Sequence, residues 1–266
     1  MIFSLFYHLG IGIWNIMLNL IGVVSGATPD AFSPAAWEYI TNEILPWTQG
    51  IAASMLNLFF MIGILRSIEN IKEGMTTELF IEICIKAVLA NSFLLLVLPL
   101  LRTFFEMSAD MSVFVLGGTN INFEQMDMDL GAEIFYLNFS LIFFIVCLVC
   151  SVTLFLVVYG RFIQLYLLIV SCPIAVATLP GGNGISASFY AWLRTFLSKT
   201  FSIVLICLTV TIASKMAEGV HYFGSLSGIG SIFDGAIQAV ENMFNMIILA
   251  ASVKGVDSFM KRTFGL

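Results

Sequence analysis

The stretch Ile134–Tyr159 contains no charged residue. A hydrocarbon core about 30 Å thick is crossed by about 20 apolar helical residues rising 1.5 Å each. This run is therefore long enough to span a bilayer and too apolar to stand in water. Six further apolar runs accompany it: Ile2–Ser25, Trp47–Leu65, Leu79–Leu101, Phe162–Leu179, Thr200–Ala213 and Ala236–Val253. Within lipid a single segment satisfies its own backbone only as a helix. Hydrophobic residues make up 59% of the chain and charged ones 11%, where soluble domains carry about half and about a quarter. A soluble fold of this composition would leave large apolar patches wet. The expectation is an all-α, polytopic helical membrane protein, with residues 1–266 forming a single integral membrane domain.

Charge placement orients the runs. Residues 26–49 hold Asp30, Glu38 and Glu43, and residues 103–133 hold Glu106, Asp110, Glu124, Asp127, Asp129 and Glu133, with no Lys or Arg in either. The basic residues gather at Arg66 and Lys72, at Arg161, Arg194 and Lys199, and at Lys254, Lys261 and Arg262. Lys and Arg in short loops stay in the cytoplasm. Residues 26–49 and 103–133 are thus expected as extracytoplasmic loops, and both termini as cytoplasmic. That arrangement requires Phe162–Leu179 not to cross. Residues 160–199 then form a cytoplasmic-side region, a re-entrant or interfacial element broken at Pro173 and closed by the Pro180-Gly181-Gly182 turn. About six transmembrane helices remain. The first run has no basic residue before it, so it lacks the n-region of a cleaved signal peptide and is expected to stay as a helix.

The net charge of −6 argues against a surface that grips nucleic acid, which needs clustered Lys and Arg. Catalytic apparatus is also missing from the pattern. His8 and His221 are far apart and outside any HExxH frame, and neither a P-loop nor a G-x-S-x-G is present. No enzymatic activity, metal or cofactor is expected. Cys147 and Cys150 have redox spacing but sit inside an apolar run without a second pair, which favours small buried packing residues.

Polar residues inside the apolar runs are the informative ones. Ser4, His8, Gly12, Asn15, Asn19 and Gly22 fall on one face of a 3.6-period helix. Gln238, Glu241, Asn242 and Asn245 do the same near the end of the chain. Such stripes line a pore, meet a neighbouring subunit, bond between helices of one subunit, or mark a helix lying flat in the interface. Glu241 is an intramembrane carboxylate, which faces a bundle interior or a watery cavity unless it reaches the interface. Glu82 and Lys86 stand at i and i+4 in the favourable order and read as an intramembrane ion pair.

Several stretches carry a family resemblance: PWTQGIAASMLNLFFMIGILRS, YGRFIQLYLLIVSCPIAVATLPG, the following SFYAWLRTFLSKTF, and the tail SVKGVDSFMKRTFGL. From about Pro46 onward the chain resembles the TrbL family of conjugal transfer proteins, polytopic inner-membrane subunits of type IV secretion systems. The resemblance implies a homo-oligomeric ring, pentameric on that resemblance alone, in the inner membrane. It implies as partners the machine's other membrane subunits and ATPases, with a relaxase–DNA substrate only in transit. The different reading left by the residues themselves is a small secondary transporter or ion channel using Glu82, Lys86 and Glu241 around the Pro173 break.

The topology predicts a labelling pattern in a cysteine-free background. Single cysteines at Ser186 and Gly265 should resist an impermeant maleimide on intact cells, while one at Ser112 should react at once. Labelling of position 186 from outside would restore a seventh crossing.

Overall fold

The computed structural model describes residues 2–69, 77–117, 130–182, 184–219 and 234–265. Helix α1 spans Ile2–Ser25. Two short helices follow, α2 at Pro29–Phe32 and α3 at Pro34–Tyr39, each opened by a proline whose missing N–H costs nothing at a helix start. A π turn at Ile40–Ile44 leads into α4, Leu45–Glu69. Helices α5 (Thr77–Leu116), α6 (Leu130–Ala177), α7 (Ala187–Gly219) and α8 (Asp234–Phe264) complete the chain. No strand occurs among the described residues, and six helices are long and apolar enough to cross a membrane. This is the all-α build of a multi-pass membrane protein.

Three expectations need correction. The third run does not stop at Leu101, because α5 continues to Leu116 through Pro99. The reason is visible in burial: Leu101, Phe105, Ser108, Ala109 and Ser112 keep helical spacing on one buried face. The first part of the expected outer loop is therefore helix, and residues 118–129 lie outside the described residues. Ser112 is fully buried, so an outward cysteine reporter belongs elsewhere. The expected loop 26–49 is also largely helical, as α2, α3 and the start of α4.

The third correction concerns residues 160–199. Helix α6 runs unbroken through Gly160, Arg161 and Pro173. At 1.5 Å per residue its 48 residues extend about 72 Å, more than twice a hydrocarbon core. The interruption comes at the glycines instead. A 3-10 turn at Leu179–Gly181 is followed by Gly182 at φ 79° and Gly184 at φ 99°, conformations that favour glycine.

A proline leaves the carbonyl four residues earlier without its N–H, which for Pro173 is that of Ile169. One residue before it, Trp192 Nε1 of α7 donates to the Leu168 carbonyl at 3.1 Å, packing α7 on the proline turn. The same device recurs at Pro99, where Gln49 Nε2 of α4 donates to the Leu94 carbonyl at 3.0 Å. In both helices a side chain from a packed neighbour serves the carbonyl five residues before the proline.

Two compact units make up the chain. The first comprises Met1–Gly26, Ala109–Gly160 and Ser202–Phe259. In it α1 lies on α6: Tyr7 and Phe143 approach to 4.7 Å and Phe6 and Phe144 to 5.9 Å between ring centres. Cys147 sits where α1, α6 and α8 meet. A side chain at Gly10 would press on its sulfur, and that sulfur is 3.4 Å from Met246 Sδ.

The second unit comprises Ala27–Ser108, Arg161–Phe201 and Met260–Leu266. Its core joins α4, α5, α6 and α7 through Leu56, Leu94, Val97, Leu165, Ile169 and Trp192. Trp192 stacks on Phe196 at 5.3 Å, and Phe105 meets Phe196 edge-on at 5.8 Å. The α2–α3 elbow is fastened to α6 by Phe32 stacked on Phe162 at 4.0 Å, and by Tyr166 Oη donating to the Pro29 carbonyl at 2.7 Å.

Helix α4 also packs directly on the turn after α6, with Gly63 against the Pro180 carbonyl. A Cβ there would overlap backbone, which cannot swing aside. Gly63→Ala should therefore destabilise the protein by about 1–3 kcal/mol. Gly50→Ala, on the same helix facing open space, should be neutral or stabilise by up to about 1 kcal/mol. Thermal melts of the purified protein in detergent check the contrast, and equal melting of the two variants would contradict it.

Candidate functional site

The two polar stripes occupy equivalent positions on their helices. On α1 the buried ridge is Tyr7, Ile11, Trp14, Leu18 and Ile21. Each stripe residue follows one of these directly: His8, Gly12, Asn15, Asn19 and Gly22. One step along a helix turns 100°, so the stripe borders the buried ridge without entering it. His8 and Asn15 are half-buried, Asn19 is exposed, and Gly12 and Gly22 have no neighbouring atoms within 4 Å of an added Cβ. The Ser4 side chain lies outside the described residues.

Helix α8 shows the mirror offset. Its buried ridge includes Ala239, Met246, Leu249 and Val253, and Gln238 and Asn245 each precede a ridge residue. Gln238 is exposed, while Glu241, Asn242 and Asn245 are half-buried. Both helices thus hold an apolar ridge against α6 and a row of amides along its border.

Glu82 and Lys86 form the expected pair, Nζ to Oε1 at 2.6 Å. Ile81, Ile85, Val88 and Leu89 around them are all exposed. The pair therefore lies on the outward apolar face of α5 and neutralises itself there.

Arg161 was legible in sequence only as one of the basic residues on the cytoplasmic side. The structure buries it to 7% exposure in the second unit. Its Nε donates to the Lys199 carbonyl at 2.9 Å and its Nη2 to the Thr200 carbonyl at 2.8 Å. Ser108 Oγ of α5 donates to that same Thr200 carbonyl at 2.7 Å, and the guanidinium carbon stands 5.7 Å from the Phe162 ring centre. One α7 turn is thereby tied to both α5 and α6. A signal for this existed: a lone charge between two long apolar runs of one helix is rarely solvated.

Four cysteines, Cys147, Cys150, Cys172 and Cys207, are buried, as small packing residues would be. Among the described residues no three His, Cys, Asp or Glu side chains come together to hold a metal ion. Pro180, Gly181 and Gly182 form the turn after α6, whereas Pro173 is an interior helix residue. His221, Lys72 and the Asp127–Asp129 pair lie outside the described residues. No protein-family model matches the chain, and neither a curated protein nor a solved structure does.

The exposed ion pair generates a prediction. Lys86→Leu leaves Glu82 unpaired on an apolar face, where a charge at the centre of a membrane helix costs about 2–3 kcal/mol. Folded yield and melting temperature should fall. The double variant Glu82→Leu with Lys86→Leu should recover both, and a double variant as poor as the single one would deny that the pair is mutually neutralising.

Proposed function

We propose that this protein is a membrane-embedded channel or scaffold subunit of a type IV secretion machine for conjugative DNA transfer. It has no enzymatic activity of its own and assembles as a homo-oligomer in the inner membrane. The observation that carries the assembly is Asn19. It is an exposed amide on a helix long and apolar enough to span a bilayer, and an amide facing lipid is costly unless another helix serves it. Gly12 and Gly22, open on the same stripe, leave room for a neighbour's backbone to approach closely. Gln238 extends the same argument to α8. The TrbL resemblance supplies the machine. Its ATPases and other membrane subunits are the expected partners, with the basic C-terminus cytoplasmic and the relaxase–DNA substrate passing without a dedicated binding surface.

The transporter reading through Glu82, Lys86 and Glu241 is less well supported. Pro173 lies within an unbroken α6 and Glu82 and Lys86 face outward, which leaves the half-buried Glu241 as its one inward charge among these.

Two readouts test the proposal together. Deleting the gene should abolish conjugative transfer, and the wild-type gene in trans should restore it. Asn15→Leu with Asn19→Leu should shift the solubilised protein to smaller species on native gels, since each lost interhelical bond is worth about 0.6–2 kcal/mol. Normal transfer without the gene would overturn the secretion role. An unchanged oligomer with normal expression would show that the stripe packs within one subunit.

A further inference from the structure

Two exposed surfaces of opposite charge stand on the second unit. On one, Glu38, Asn42 and Pro46 form a row beside Tyr39, Glu43 and Trp47, each row stepping by four residues along the α3–α4 run, and all six are exposed. Tyr39 is 54% and Trp47 67% exposed, high for aromatic rings. On the other, Arg194 of α7 lies near Gly265 at the end of α8, which also carries exposed Lys261 and Arg262. Glu38, Glu43, Arg194 and Arg262 have no ion-pair partner among the described residues.

The two surfaces hang on the same turns of α6. Phe162 and Tyr166 fasten the elbow that leads into the acidic face. Arg161 and the Leu168 carbonyl fasten the α7 turns on either side of Arg194, through Lys199, Thr200 and Trp192. Both faces therefore stand at the level of the same α6 turns. Residues 38–47 thus lie on the same side of the bilayer as Arg194 and Arg262, and not across it as charge placement alone suggests. Copies side by side present the two faces at matching depth. The chemistry also has a precedent inside the chain, where Arg102 lies over the Trp37 ring at 5.3 Å on this same elbow.

We infer that the acidic–aromatic face of one chain docks on the Arg194–Arg262 face of a second copy. Carboxylates meet guanidinium groups, and Tyr39 and Trp47 offer ring faces to the same cations. The contact is heterologous, so a bound pair keeps one acidic and one basic face free, and such contacts close into rings or extend as filaments. This inference rests on the homo-oligomeric reading above and assigns its contact surface.

Charge exchange tests it, with the full-length protein in nanodiscs of neutral lipid weighed by mass photometry. Glu38→Arg with Glu43→Arg, or Arg194→Glu with Arg262→Glu, should each lower the oligomeric fraction about tenfold, because like charges are then opposed. All four substitutions in one chain should restore it. Unchanged half-exchanges, or a full exchange no better than either half, would overturn the contact while the wild-type oligomer keeps the assembly reading intact. A monomeric wild-type protein would overturn both. Folding defects are separated by a second measurement. Chains carrying Glu43→Cys and Arg262→Cys, co-expressed and oxidised, should give a covalent dimer absent from either alone, and its absence would overturn the contact.

Discussion

A bilayer offers no water to an unpaired carbonyl, and that single condition governs how this chain is built. Every crossing has to be a helix because only a helix closes its backbone bonds within one segment. Two prolines nonetheless sit inside long helices. Pro99 and Pro173 free the carbonyls of Leu95 and Ile169. At each proline turn a packed neighbour bonds the preceding carbonyl, Gln49 that of Leu94 and Trp192 that of Leu168. Both helices run on through the proline with α4 and α7 packed against them.

Arg161 applies the principle in the other direction. Here carbonyls of an intact α7 turn satisfy a buried cation, with Ser108 joining at Thr200. A guanidinium suits the task because its planar fork reaches two successive carbonyls at once. The charge lies between the two apolar stretches of a helix about 72 Å long. It anchors α6 to α7 at the point where α6 leaves one packing unit for the other.

Polarity on the remaining surfaces follows a consistent division. Apolar ridges of α1 and α8 go to α6, and the amides border them. The exposed Glu82–Lys86 pair is neutral as a unit. Glu38 of α3, Glu43 beside it, Arg194 of α7 and Arg262 of α8 have no ion-pair partner among the described residues.

Length and composition alone were enough to place this chain among helical membrane proteins, since a run such as Ile134–Tyr159 has no stable alternative in water or lipid. The i and i+4 spacing of Glu82 and Lys86 was sufficient to pair them, because helix geometry is local. The turn at Pro180–Gly182 was equally legible, as glycine backbone freedom is a property of the residue. Where α5 and α6 end was not legible. Whether a proline ends a helix depends on how neighbours such as Gln49 and Trp192, distant in sequence, pack against its turn. Which side of a polar stripe meets the core depends on which neighbour the adjacent ridge packs against. The sequence by itself determined the class, the presence of the apolar runs and the periodicities, all set by bonds within a few residues. Only the tertiary structure decided the continuity of α6, the burial of Arg161 and the outward placement of Asn19, because each depends on contacts between helices that no local pattern encodes.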